Sequence, residues 1–373
     1  MTKVKDICNL NVNTIDKKTN YSIYKYLDTG NITDNYLDDI KIYKEYSKLP
    51  SRARRIVSQD DIIISTVRPK LKHYGYIEGD RKNLIVSTGF TVINPDKNLV
   101  NSKYLYYFLT SIKITRYLQM IAETAVSSYP SIKPNVIGNI NINFPSITEQ
   151  KLIIQNVYNI DKKIQNSQKM ISQLKELIKL ELFNMYKNPK YEFTEEVISD
   201  FVNYKKNPII PIKTEKYKYY SIPEFDKSLT YEVASGNEIK SSKYSVEYGD
   251  ILVSKLNPRI NRVIIPVDSK NCIASTEFVV WDVKNKEFLN FFYATAISDY
   301  FIKYCSIASM GTSNSHKRVT PTFMLKYPFK FSETMIMDFD ESVKIYIEKL
   351  NLLTRDIKDL IIAKELLLYD EFK

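Results

Sequence analysis

Cysteine, glycine, histidine and tryptophan are all scarce in this chain, at 3, 8, 2 and 1 of 373 residues. The cysteines, Cys8, Cys272 and Cys305, are far apart and odd in number, which excludes a disulfide framework or a cysteine-rich zinc site and leaves them as small buried apolar residues. With only His73 and His316, a histidine-based metal centre is excluded too. There is no Gly-rich strand-to-helix turn and no Gly-Lys-Ser/Thr phosphate loop. Nor is there an Asn-Pro-Pro-aromatic or Asp-Pro-Pro-aromatic run, which an adenine methyltransferase would need to hold a flipped base. Asp38-Asp39 and Asp60-Asp61 read as turn residues rather than the clustered carboxylates of a metal-dependent nuclease. No run of about 18 uncharged apolar residues occurs, and Met1-Thr-Lys-Val-Lys-Asp lacks a signal peptide's apolar core, so a soluble cytoplasmic protein is expected. The expectation is a non-catalytic chain with no metal or cofactor of its own.

What the chain does have is 44% apolar and 26% charged residues, enough for two ordinary cores. Its net charge of +11 favours an anionic partner, because a basic surface attracts phosphates and releases their counterions. Lysine is abundant throughout, so arginine is the better probe. Arg52, Arg54, Arg55, Arg68, Arg259, Arg262 and Arg318 fall in loop-like stretches, where planar guanidinium forks can hold phosphates or guanine edges in a bidentate way.

The chain also repeats itself. Asp61-Ile-Ile-Ile-Ser65-Thr-Val-Arg-Pro69 returns as Asp250-Ile-Leu-Val-Ser254-Lys-Leu-Asn-Pro258. Ser87 to Val92 matches Ser275 to Val280, Tyr104 to Phe108 matches Phe288 to Phe292, Tyr117-Leu118 matches Tyr300-Phe301, and Phe144-Pro145 is set against Tyr327-Pro328. A shared order with small drifts in spacing is the mark of a duplicated fold with altered loops. Asp61 to Val67 is β-branched, alternates poorly and ends in Arg-Pro, as a buried strand leaving into a loop does. Ile85 to Ile93 reads as a second strand, and Asn101 to Ile121 as a helix capped by Asn101 or Ser102. Tyr106, Tyr107 and Tyr117 have core spacing.

Candidate contact residues sit in matching loops. Arg68, Lys70, Lys72, His73 and Tyr74 leave the first strand, and Lys255, Asn257, Arg259, Asn261 and Arg262 leave its counterpart. Later loops add Ser127, Ser128, Tyr129 and Lys133, then Ser313, Asn314, His316, Lys317 and Arg318. Polar side chains on loops held by a rigid sheet suit base edges and phosphates. Arg52, Arg54 and Arg55 lack neighbouring amides and read as phosphate-facing.

Each repeat runs on into a heptad-patterned segment. Ile153, Val157, Ile160, Ile164, Ser167, Ile171, Leu174 and Ile178 recur at alternating spacings of four and three, a coiled-coil seam. Ser146-Ile-Thr-Glu149 fits a capping box at its start. A second series runs Phe339, Val343, Tyr346, Leu350, Leu353, Ile357, Leu360, Lys364 and Leu367. The first helix would be about 55 Å long at roughly 1.5 Å per residue. Antiparallel pairing of the two within one chain would bury both seams and separate the domains by about 15 base pairs' length of duplex. The expected architecture is mixed α/β, of α+β type: a domain at 1–145, a helix at 146–187, a second domain at 188–331 and a last helix at 332–373.

This order resembles the specificity (S) subunits of type I restriction-modification systems. The residues that carry the resemblance are Gly249-Asp250-Ile-Leu-Val-Ser254, Phe144-Pro145-Ser-Ile-Thr-Glu149-Gln150 and the domain-helix repeat itself. The chain departs from the pattern at Asp60-Asp61, where Gly-Asp is expected, and at Ser332-Glu-Thr-Met-Ile-Met-Asp338, which lacks the proline before the last helix. The resemblance implies a reader of double-stranded DNA in which two target-recognition domains take the halves of a split site. It also implies partners on the helices: methyltransferase subunits, expected as two, and in some systems a restriction/translocase subunit. S-adenosylmethionine would be bound by the methyltransferase and not by this chain. The alternative is a free-standing DNA-binding regulator or architectural protein without an enzymatic partner.

Overall fold

The computed structural model of the chain describes residues 2–37, 39–79, 81–124, 130–308 and 317–372. They form two compact units, Met1–Ile160 with Ala363–Lys373, and Asp161–Ile362.

In the first unit the Ile62–Ser65 strand lies inside an antiparallel sheet ordered Cys8–Leu10, Phe90–Pro95, Ile62–Ser65, Tyr74–Tyr76. Ile62 and Ile64 join the core built with Tyr104, Leu105 and Leu118 of the helices, whereas Ile63 joins Leu27 and Val86 of a second sheet. Burial on both faces removes the usual polar alternation, which is why this stretch reads as an unbroken apolar run. The second sheet is ordered Lys41–Tyr43, Tyr24–Leu27, Leu84–Ser87, Ala53–Ile56, and its middle pair is parallel.

Two elements expected to be continuous are broken. The strand expected over Ile85–Ile93 is two strands, Leu84–Ser87 and Phe90–Pro95, which lie in different sheets. The crossing falls at Gly89, where a Cβ would stand 2.8 Å from Thr29 Cγ2. The helix expected over Asn101–Ile121 is likewise two, Ser102–Leu109 and Ile112–Thr124. Asn101 caps the first, its side-chain oxygen accepting from the N–H groups of Lys103 and Tyr104 at 2.9 and 3.2 Å. Tyr106 is buried and Tyr107 half-buried, but Tyr117 is 42% exposed and the inward residue is its neighbour Leu118. The repeat shares this arrangement, with Tyr300 exposed and Phe301 buried.

The central helix runs Ile147–Lys187. Its capping box forms: Glu149 Oε2 accepts from the Ser146 N–H at 3.0 Å, and Ser146 Oγ accepts from the Glu149 N–H at 3.4 Å. Gln150, fully buried, accepts from the Asn101 N–H at 2.8 Å and donates to Pro145 O at 2.9 Å, tying the helix start to the domain. The end of the C-terminal helix Glu333–Glu371, from Ala363 onward, belongs to this unit. There Phe372 packs edge-on against Tyr104 and Phe108, and the Tyr104 hydroxyl donates to Glu371 at 2.7 Å.

The second unit repeats the plan. Its sheets are Val202–Lys205, Phe278–Val283, Asp250–Ser254, Val263–Ile264 and a five-stranded sheet whose Lys216–Tyr220 and Cys272–Ala274 strands are parallel. Strand register is kept: Ser65 faces Phe90, and Ser254 faces Phe278. Asp61 accepts from the Ser58 N–H at 2.7 Å and Asp250 from the Glu247 N–H at 3.0 Å, so each carboxylate closes the turn before its strand. Burial pushes both carboxyls above the usual range, against those hydrogen bonds. The residue before each has positive φ, 72° at Asp60 and 92° at Gly249, which accounts for glycine in one copy and a tolerated aspartate in the other.

One sequence match is out of register. The Val4 N–H donates to Ile140 O and the Ile198 N–H to Tyr327 O, while Lys3 pairs with Asn141 and Val197 with Pro328. Tyr327-Pro328 therefore corresponds to Ile140-Asn141, and Phe144-Pro145 to Phe331-Ser332. Ser332 stands where Pro145 does, directly before the helix that begins at Glu333.

The two long helices are antiparallel. Ile171 clusters with Leu353 and Ile357, flanked by Ile164, Leu174, Leu350 and Ile361. Just past the central helix, the Tyr191 hydroxyl donates to Asp338 at 2.8 Å, near the start of the other. Ile178 and Val343 belong to the second domain's core and Ile153 packs on the first domain's core, so the seam also serves as domain core. Val157 is fully buried, Ile160 and Leu360 are half-buried, and Ile361 takes the cluster place expected for Leu360. Lys175 points its ammonium at Val263 O, 3.4 Å away, and lies 5.6 Å from the Phe225 ring centre. Burial, and secondarily the Lys179 charge, lower its pKa to about 8. Folding thus disfavours the charged form, and between pH 8 and 10.5 the unfolded state binds more protons, so this residue's penalty is full below pH 8 and fades as pH rises. Lys175→Met is expected to stabilise the chain by about 1–3 kcal/mol at pH 7, with the gain shrinking by pH 10. Denaturant melts of both chains across that range measure the difference.

Candidate nucleic-acid interface

Each doubly buried strand ends in a serine whose hydroxyl folds back on the chain. Ser65 Oγ accepts from the Val67 N–H at 3.2 Å and donates to Val67 O at 3.1 Å; Ser254 Oγ does the same with Leu256, at 3.2 Å each way. A strand that would otherwise continue is turned into a loop there. The loop is then clasped to a second one by backbone hydrogen bonds. In the first domain the Ile132 N–H donates to Thr66 O at 2.8 Å and the Arg68 N–H to Pro130 O at 2.9 Å. In the second, the Val319 N–H donates to Lys255 O at 3.1 Å and the Asn257 N–H to Lys317 O at 2.7 Å. The returning chain is held in the same way, Ser65 N–H to His73 O and Ser254 N–H to Arg262 O. Segments distant in sequence are thereby brought together twice, in one register.

The side chains on the two clasps differ. In the first domain Arg68, Lys70, Lys72 and Lys133 are exposed. The Lys70 N–H is held by Gln119 Oε1 at 3.0 Å, fixing the Pro69–Leu71 turn against the Ile112–Thr124 helix. His73 Nδ1 lies 2.7 Å from Ile32 O and donates to it, because a carbonyl only accepts. Tyr74 is a correction: it is 7% exposed, packs edge-on against Tyr106 and donates to Asp34 at 2.9 Å, so it is core rather than contact surface. Strand alternation explains this, since Ile64 and Tyr74 are paired residues on the helix-facing side.

Arg52, Arg54 and Arg55 differ in exposure and in partners. The exposed Arg52 lies by the clasp, its carbonyl accepting from the Thr88 N–H at 2.8 Å while neighbouring Gly89 O accepts from Thr66 N–H at 2.8 Å. Arg54 donates to the Tyr46 hydroxyl and to Ser51 O, at 2.5 and 3.0 Å. Arg55 is half-buried, its Nε has no partner among the described residues, and burial lowers its pKa. The strand is irregular at this point, Arg55 pairing with Val86 and Ala53 with Ser87, so Arg54 and Arg55 are held in different surroundings.

In the second domain Arg259 is exposed and Lys255 and Lys317 are half-buried. Arg262 is the other correction. It is 8% exposed, and its guanidinium forms a two-pronged pair with Asp226 at 2.6 and 2.8 Å and reaches Leu256 O at 3.3 Å. It pins the loop from within. Asn261 donates to Ile297 O at 3.0 Å. Arg318 is paired with Glu277 at 3.0 and 3.1 Å, which raises its pKa. Ser127, Ser128, Tyr129, Ser313, Asn314 and His316, like Asp38, lie outside the described residues. The sequence reading missed Gln119, Asp226 and Glu277, each distant from the loop it holds; only the serine repeated at both strand ends carried a signal for the clasp. Among the described residues no group of three or more His, Cys, Asp or Glu could hold a metal ion, and no helix is long and apolar enough to cross a membrane.

Residues 1–176 match the family described as Type I restriction modification DNA specificity domain. The HindI specificity subunit of Haemophilus influenzae is 30% identical over 176 residues, 46% of this chain and 38% of that protein. The MjaIX specificity subunit of Methanocaldococcus jannaschii is 27% identical over 338 residues, 89% of this chain and 66% of that protein. The resemblance to type I specificity subunits is borne out. The chain spans 38% and 66% of the length of those two relatives. Two solved S subunits, HsdS from Thermoanaerobacter tengcongensis and the one from M. genitalium, align over 100% of this chain and 95% of theirs, at 16% and 14% identity and TM-scores of 0.46 and 0.47.

Since Arg262 holds its loop internally, Arg262→Ala is expected to lower unfolding free energy by about 1–3 kcal/mol, the range for losing a largely buried charged hydrogen-bond partner. Arg259→Ala, on an exposed side chain, is expected to change it by less than about 0.5 kcal/mol. Paired denaturation curves separate the two residues.

Proposed function

We propose that the chain is the DNA-reading subunit of a type I restriction-modification complex, with each domain's clasped loops reading one half of a split duplex site. The observation that carries this reading is the clasp itself: one backbone arrangement, formed twice, presenting unlike side chains. A rigid frame with variable polar loops suits the recognition of base edges, and exposed lysines and arginines around it suit phosphates. Unlike side chains on like frames imply unlike half-sites. The basic composition supports the same partner through counterion release.

The long helices would carry methyltransferase subunits, expected as two, and in a restricting complex a nuclease/translocase subunit as well. Adenine methylation from S-adenosylmethionine would then belong to those partners, with this chain non-catalytic and working in the cytoplasm.

Replacing residues 1–145 by the corresponding domain of a relative of different specificity, in cells that supply the methyltransferase partner, tests the division of labour. Mapping methylated adenines is expected to show a bipartite motif with one half changed and the other kept. A motif altered in both halves would refute it.

A further inference from the structure

Arg68 has φ 48° and ψ 66°, in the left-handed region, and is followed by Pro69. Two constraints oppose that conformation. A residue with a Cβ avoids positive φ unless it is asparagine or aspartate, and a residue before proline is pushed to extended backbone. Asn257 takes the corresponding place in the second domain, at φ 45° and before Pro258. Both prolines are buried, and the clasp fixes the N–H of both residues, on Pro130 O and on Lys317 O. Lys72 is also left-handed, but Asn261, its counterpart by the strand-end hydrogen bonds, is not. Among the described residues of the two clasps, 68 and 257 are therefore the pair that shares this geometry.

A glycine in either copy would remove the first of these constraints, the cost of a Cβ at positive φ, and leave the second. Asparagine tolerates it, so the strain argument rests on Arg68, where a long side chain is kept against the backbone's preference. Strain of this kind collects at ligand contacts, where the surrounding structure holds it in place. Asn257 adds an independent sign, because its buried side-chain oxygen has no hydrogen-bond partner among the described residues and so has bonding capacity that they do not use.

We propose that Arg68 and Asn257 are the matched specificity-determining side chains of the two domains, Arg68 taking the O6/N7 edge of a guanine in one half-site and Asn257 the N6/N7 edge of an adenine in the other. The proposal rests on the reading of the chain as a DNA-specificity subunit and narrows it to one base pair in each half.

The test uses the full chain with its methyltransferase partner and maps methylated adenines for wild type, Arg68→Asn, Arg68→Gly and Asn257→Arg. Arg68→Asn is expected to change or relax one base pair in one half-site, discrimination there falling roughly 10- to 100-fold, while the other half is kept. Asn257→Arg is expected to act on the other half alone. Arg68→Gly relieves the backbone, so it is expected to raise the melting temperature while relaxing the same base pair as Arg68→Asn. A wild-type bipartite motif left unaltered in both Arg68 variants overturns the proposal and leaves the functional reading standing. Uniform loss of methylation at all sequences, with melting unchanged, also overturns it and makes Arg68 a phosphate contact. Absence of any bipartite motif for the wild-type chain overturns the functional reading and this proposal with it.

Discussion

A strand buried on both faces and stopped by a serine hydroxyl is the constraint on which the rest depends. Ile62 and Ile64 on one side and Ile63 on the other leave Ile62–Ser65 no freedom to slip, because a shift of one residue would exchange its faces between two different cores. The same holds for Ile251, Leu252 and Val253. With register fixed, the chain leaves the sheet at a defined point, and the Ser65 and Ser254 hydroxyls turn it there. The clasp to residues 130–132 and 317–319 then forms with backbone groups alone. Exposed side chains on the loops, unlike the buried Arg262, can change without loss of the frame.

The helices follow from the same economy. Their seams are paired where Ile171 meets Leu353 and Ile357, and become domain core where Ile178 and Val343 join the aromatic cluster around Phe291 and Phe339. Gln150 and the capping box couple the start of the central helix to the Asn101 cap. Each helix is thus anchored by burial rather than by propensity, as long helices in water require.

Much of this was legible in the residues. The repeat, the strand pair, the capping box and the heptad spacing all rest on local pattern, and local pattern fixes local structure. Legibility ended where a partner lies far along the chain. Phe144-Pro145 was set against Tyr327-Pro328 because both are aromatic-proline pairs, whereas backbone pairing of Lys3 with Asn141 and Val197 with Pro328 moves the match to Phe331-Ser332. Tyr117 had the spacing of a core residue, but the break between Leu109 and Ile112 resets the helix phase and turns Leu118 inward instead.

By itself the sequence determined that the chain is duplicated, basic and built of two mixed α/β modules with long helices, because composition, periodicity and order are properties of the chain alone. Only the tertiary structure decided which polar residues are available at the surface. Arg262 and Arg259 are the same kind of residue in the same loop, yet Asp226 draws one inward and nothing reaches the exposed head of the other among the described residues. A carboxylate 36 positions away sets that difference, and no reading of neighbouring residues contains it.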